Sequence, residues 1–173
     1  KIMIMKTIPL HPKFGVIVDG INLDDVTNNN LYPEIRDLFE KHSSILFKDQ
    51  EFSEETHIKF ASLFGPLENR EAMAKNSYVK FELPKVSNED SDGNVFSEND
   101  IRTLELKANM LWHTDSTFLP IPALANIIAA KTIPSSGGQT ELASTRIALN
   151  ELPKNILEKI KNKKFFHSFV QSR

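Results

Sequence analysis

The chain has 173 residues, of which 40% are hydrophobic and 25% charged, a balance that supports a closed hydrophobic core and argues against disorder. Its 21 basic and 23 acidic residues give a formal charge of −2, without the global basic field of a nucleic-acid binder. It contains no cysteine, which excludes disulfides, thiolate metal sites and thiol nucleophiles, so any bound metal must be held by His, Asp or Glu.

Lys1 to Leu10 is too short and too broken for a signal peptide. Leu10 to Leu23 reads as a strand region with a turn, with Phe14, Val16 and Val18 at alternate positions. Asn29 or Asn30 can cap a helix over Leu31 to Lys41, where Leu31, Ile35, Leu38 and Phe39 form one apolar stripe. Ser44 to Phe47 is a short strand. Ser53, followed by Glu54 and Glu55, opens a second helix that Gly65-Pro66 ends. From Glu68 to Leu106 the pattern suggests a long loop region, with strands near Val79 to Phe81 and Lys85 to Ser87. Ala123 to Ile133 reads as a buried strand. Its apolar run, Ala123 to Ala130, is broken by Asn126 and falls far short of the roughly 20 residues that span a bilayer. Pro134 to Gly138 is a turn, Gln139 to Leu142 a short strand, and Ser144 and Pro153 open two further helices. Phe165 to Val170 is apolar and strand-like. Strands and helices followed mainly by strands make the class α+β. A reducing, cytoplasmic setting is expected, with no membrane and no nucleic-acid partner. The start at Lys1 and the stop at Arg173 do not read as natural ends.

His113-Thr114-Asp115 is the sharpest chemical feature. On an extended segment, residues i and i+2 project to one face, so an imidazole and a carboxylate can take adjacent positions on one divalent ion. Such a pair suits Fe(II), where a 2-His-1-carboxylate set leaves positions open for substrate and oxygen. Taken alone, His-x-Asp is a weak signal and more often an exposed polar turn. His11, His42 and His57 have no ligand-like partner and read as solvated or capping residues; His42 suits a helix C-terminus. Trp112 reads as structural.

The segment Ala108-Asn109-Met110-Leu111-Trp112-His113-Thr114-Asp115-Ser116-Thr117-Phe118 resembles the iron-ligand segment of the TauD/TfdA family of Fe(II)- and 2-oxoglutarate-dependent dioxygenases. The resemblance continues through Ala129 to Glu141, which contains Gly137-Gly138-Gln139-Thr140, and reaches back to Leu10-His11-Pro12 and Phe64-Gly65-Pro66-Leu67. It implies a double-stranded β-helix (jelly-roll) core with flanking helices, incomplete in this chain, which would be the N-terminal part of a single dioxygenase domain over residues 1–173. It also implies Fe(II) as cofactor and 2-oxoglutarate as co-substrate. His113 and Asp115 match the first two iron ligands. Thr140 matches the residue whose hydroxyl binds a carboxylate of 2-oxoglutarate, a charge-assisted bond, and the Gly pair before it is read as a tight turn. Asn109, Ser116 and Phe118 match substrate-contacting positions; Asn109 on a strand would share the face of His113, and Phe118 suits the core equally.

The family's second His and its 2-oxoglutarate-binding Arg belong to a C-terminal part beyond this chain. Within reach are His167, followed by Arg173, whose plainer reading is an ordinary strand histidine. The implied reaction hydroxylates a small organic acid, phenoxyacetate-like or a related carboxylate or sulfonate, using O2 and converting 2-oxoglutarate to succinate. Arg70 or Lys75 can steer such an anion but suit plain surface as well. Little turnover is expected of these 173 residues alone. A homo-oligomer is compatible with this reading. The competing reading is a catalytically inactive truncated form or a non-catalytic β-barrel binding module.

Overall fold

A buried strand must pair its N–H and C=O groups on both edges, and one segment of this chain achieves that. Strand β2 (Val16–Asp19) lies between β1 (Lys6–Pro9), antiparallel to it, and β3 (Ile45–Phe47), parallel to it. Val16 and Val18 face the core and are nearly inaccessible, matching the predicted alternation. The computed structural model describes residues 5–69 and 79–168. They form two units, one of residues 5–65 and 127–163, the other of residues 66–69, 79–126 and 164–168.

In the first unit a 3-10 turn (Leu23–Asp25) leads to α1 (Tyr32–His42), whose Ile35 is wholly buried. Asn30 does not cap α1 in the expected way. Its carbonyl oxygen accepts from Thr27 N at 2.7 Å and its amide donates to Asp25 O at 2.7 Å, so it braces the preceding turn. The helix starts at Leu31 without a side-chain cap, with Pro33 in its first turn. It closes at Ser43 in the left-handed region, with Lys41 and His42 at the negative end of the dipole. Helix α2 (Glu54–Ser62) begins as predicted: Ser53 Oγ accepts from Thr56 N at 3.0 Å, ahead of Glu54 and Glu55. Phe60 of α2 joins Val16, Val18, Ile21, Leu23, Val26 and Ile35 in the core, and its ring packs edge-on against Phe47 and Phe64. The short helices α4 (Thr145–Glu151) and α5 (Lys154–Ile160) follow Ser144 and Pro153 as expected.

In the second unit the predicted 87–94 loop is a closed turn. The Asp90 carboxylate accepts from the backbone N–H of Asp92 and of Asn94, both at 2.9 Å, and a single antiparallel bridge joins Glu89 to Val95. Helix α3 (Ile101–Ala108) follows, and the sequence had shown no helix there.

The strands expected at 79–81, 85–87, 123–133, 139–142 and 165–168 are not formed among the described residues; Arg70, Lys75, Arg173 and the last residues of the Phe165 to Val170 stretch lie outside them. A strand exists only where a neighbour supplies a ladder, and none of these segments has one. The jelly-roll core expected from the resemblance is accordingly represented by a three-stranded sheet with helices. One trace of strand character survives: along residues 125–130, burial alternates between half-buried and exposed at every step. Among the described residues no helix is long and apolar enough to cross a membrane.

Ile35→Ala should remove about 2–5 kcal/mol of stability, because a buried branched side chain leaves a cavity. Ile8→Ala, on the exposed face of β1, should stay within about 0.5 kcal/mol. Urea unfolding followed by circular dichroism checks both; equal losses would place the core elsewhere.

Candidate functional site

The segment with the His-x-Asp pair is launched by α3. Asp100 caps that helix by accepting from Arg102 N at 2.9 Å, and its carboxylate also takes the Arg102 guanidinium at 2.7 Å. The same guanidinium lies 3.7 Å from the centre of the Phe96 ring. Paired in this way, Asp100 is held at a pKa of about 2, first by the Arg102 side chain and then by its backbone N–H. Asn109 is the helix C-cap in right-handed conformation, so it does not lie on a strand beside His113 as expected. The chain then runs through Met110, Leu111 and Trp112, all exposed, so Trp112 has no buried structural role here.

His113 and Asp115 sit on irregular backbone with their side chains side by side and about half accessible. His113 Nδ1 is 2.6 Å from the Leu111 carbonyl. A carbonyl only accepts, so Nδ1 carries a proton and the neutral ring keeps its Nε2 lone pair. That Nε2 lies 3.5 Å from Asp115 Oδ1. Two acceptors facing each other across this distance repel unless they share a cation, either a proton on the ring or a metal ion. The other oxygen, Asp115 Oδ2, accepts from the Asn126 amide at 2.6 Å.

Ser116 is the one buried residue among those described in the second unit. Its backbone is left-handed, with φ of 61°, and its hydroxyl donates to the Glu68 carboxylate. Phe118 is half-buried. His167 Nδ1 lies 3.3 Å from the Thr117 hydroxyl and does not join the His113–Asp115 pair. Among the described residues no cluster of three or more His, Cys, Asp or Glu side chains forms, and His113 and Asp115 stand as a pair. Thr140 belongs to the first unit and is exposed. The turn before it is as expected: Gly137 and Gly138 have φ of 73° and 69°, and a side chain at Gly138 would come within 3.0 Å of Pro134.

Three residues were missed. Glu68 follows the Phe64-Gly65-Pro66-Leu67 motif but carries no sequence sign of its tie to Ser116. His57, expected to be a solvated or capping residue, is buried on α2, and its Nε2 donates to the Ile127 carbonyl at 2.9 Å. Asn126 did have a signal, being the lone polar residue in the apolar run from Ala123 to Ala130.

Comparison with known proteins shows what the chain is similar to. The family model described as "Taurine catabolism dioxygenase TauD, TfdA family" matches residues 6–172. The (S)-phenoxypropionate/alpha-ketoglutarate-dioxygenase of Sphingobium herbicidovorans is 33% identical over 167 residues, covering 95% of this chain and 54% of that protein. The alpha-ketoglutarate-dependent 2,4-dichlorophenoxyacetate dioxygenase of Cupriavidus pinatubonensis is 32% identical, covering 95% of this chain and 58% of its own length. The crystal structure of AAD-2 in complex with Mn(II) and N-oxalylglycine superposes with a TM-score of 0.76 at 27% identity, covering 92% of this chain and 54% of that one. The chain thus spans about half the length of the curated relatives it matches.

The depressed Asp100 pKa makes the cap of α3 acid-sensitive in a defined window. The folded value is below the ordinary 3.8, so the stabilisation is full above pH 3.8 and is lost as pH falls through about 2. Carboxyl NMR titration should give a midpoint near 2 for Asp100, moving back toward 3.8 in Arg102→Leu. A midpoint of 3.8 in the unmodified chain would disprove the pairing.

Proposed function

The chain belongs to the TauD/TfdA family, and on that footing we propose that it carries the iron- and 2-oxoglutarate-binding portion of a dioxygenase that oxidises a small organic acid. The reading treats residues 1–173 as the N-terminal part of one such domain. For the whole domain it assigns a double-stranded β-helix, supported by the likeness to the AAD-2 structure. The observation that carries the functional reading is the His113–Asp115 pair, two acceptors 3.5 Å apart with the histidine tautomer already fixed.

His113 Nε2 and Asp115 Oδ1 are the atoms that would hold Fe(II). Imidazole nitrogen and carboxylate oxygen are the donor types this ion takes with positions left open. Bound iron with 2-oxoglutarate would supply the oxidising chemistry, using O2 to convert the co-substrate to succinate and to hydroxylate a substrate C–H bond. The protein's own share is positional. Thr140, presented by the Gly137-Gly138 turn, would donate its hydroxyl to a carboxylate of 2-oxoglutarate. Asn109 would offer its amide to a substrate oxygen and Phe118 an apolar wall. Ser116, whose hydroxyl is engaged by Glu68, would contribute mainly through the sharp turn that follows Asp115.

The substrate class we favour is a phenoxyalkanoate-like or related small acid, after the names of the relatives. The reading keeps the cytoplasmic setting expected from the sequence and needs only this substrate, 2-oxoglutarate and O2.

Mn(II), which reports by electron paramagnetic resonance, can stand in for iron in a titration of the chain. His113→Ala should weaken binding by about tenfold or more, since it removes one of two protein donors. Thr140→Ala should leave Mn(II) affinity intact and weaken 2-oxoglutarate binding by about tenfold, the scale of a charge-assisted hydrogen bond. Unchanged Mn(II) affinity in His113→Ala would sink the assignment.

A further inference from the structure

Each atom pair that faces a metal must be aimed by something behind it. For His113 that support is local, the Leu111 carbonyl on Nδ1. For Asp115 it comes from a distant part of the chain, the Asn126 side chain 11 residues on. We propose that Asn126 is the positioning residue of the metal centre: its amide fixes the Asp115 carboxylate so that Oδ2 is occupied and Oδ1 is turned to His113 Nε2. The inference rests on the metal reading of His113 and Asp115 given above.

The chemistry fixes the direction of this hydrogen bond. An ionised carboxylate has no proton to give, so the Asn126 NH2 must face it, and the carbonyl end of the amide must point away. The 2.6 Å distance is that of a bond to a charged acceptor. Asp115 is about half exposed, so without the amide its carboxylate would rotate about its last torsion and offer either oxygen, or both, to an ion. With the amide in place, one oxygen is committed and the carboxylate presents the other as a single donor. That outcome suits a site that must keep positions open for co-substrate and oxygen.

The location of Asn126 is equally specific. Along residues 125–130 the half-buried positions are Ala125, Ile127 and Ala129, while Asn126, Ile128 and Ala130 are exposed. Ile127 packs on the core of the first unit, and its carbonyl is held by buried His57. Asn126 therefore falls on the exposed side of this alternation, where its amide can face Asp115.

The test is a double-mutant cycle on Mn(II) affinity, read by electron paramagnetic resonance on the whole chain. Asn126→Ala should weaken binding by about tenfold, the lower end of the loss when such a supporting partner is removed. In an Asp115→Ala background the same change should have no further effect, because Asn126 acts only through Asp115. Equal losses in both backgrounds would mean a general structural role and overturn the proposal. Asn126→Gln, which keeps the donor, should recover part of the affinity, and thermal midpoints should agree within about 2 °C for all Asn126 variants. If His113→Ala and Asp115→Ala weaken binding while Asn126→Ala does not, this inference fails and the metal site stands. If none of the three changes binding, or no saturable Mn(II) signal appears, the metal reading fails and this inference with it. In the metal-free chain, the Asn126 side-chain amide protons should be shifted downfield and should lose that shift in Asp115→Ala; an unshifted resonance also overturns the proposal.

Discussion

The double-edged pairing of β2 is the constraint on which the first unit depends. Val16 and Val18 can be buried only because β1 and β3 take up the backbone groups on either side. The parallel partner, β3, cannot be reached by a tight turn, so the chain must cross over, and α1 makes that crossing with Ile35 wholly buried in the core and Tyr32 and Leu38 packed against it. Gln50 then closes the return. Its side-chain carbonyl accepts from Leu23 N at 3.0 Å, and its amide donates to Ile21 O at 3.1 Å and Lys48 O at 2.8 Å. One polar side chain thus pays the hydrogen-bond debt of two loops that border the core.

The candidate centre is governed by a different constraint, the count of protons between two acceptors. Once Nδ1 of His113 is committed to Leu111, a neutral ring and an ionised Asp115 present only lone pairs to each other. A metal ion between them would turn this contact from a cost into a gain. On the proposed reading Fe(II) is that ion.

Local signals were legible in the sequence and non-local ones were not. Ser53, Ser144 and Pro153 announced helices because a cap is a matter of three or four adjacent residues. Val16 and Val18 announced β2 because alternation is local too. The segment at 123–133 was read as a buried strand from composition, but a ladder depends on a neighbour that composition does not contain. Helix α3 was hidden for the opposite reason. None of its residues is buried, and the Asp100 cap and the Asp100–Arg102 pair brace its start. Near the candidate site, His113 and Asp115 stood out by spacing, and Thr140 only through the family resemblance. Asn109 was misplaced because helix and strand give the four-residue step to His113 different meanings.

Asn126 shows how a second layer of a site can be written into a run that otherwise reads as core. An alanine at this position would leave Asp115 Oδ2 to water and the carboxylate free to turn. A lysine or arginine would hold it, but would neutralise the charge the metal needs. A serine would be too short to span the same gap from the same backbone. The amide is neutral, donates, and is long enough, so it orients the ligand without competing for its charge. The cost is one polar residue in an apolar stretch, and the alternation of burial along 125–130 makes that cost small, because it falls on the exposed side while Ile127 takes the core. The interruption of the apolar run and the hydrogen bond that orients the Asp115 carboxylate are thus two consequences of the same residue.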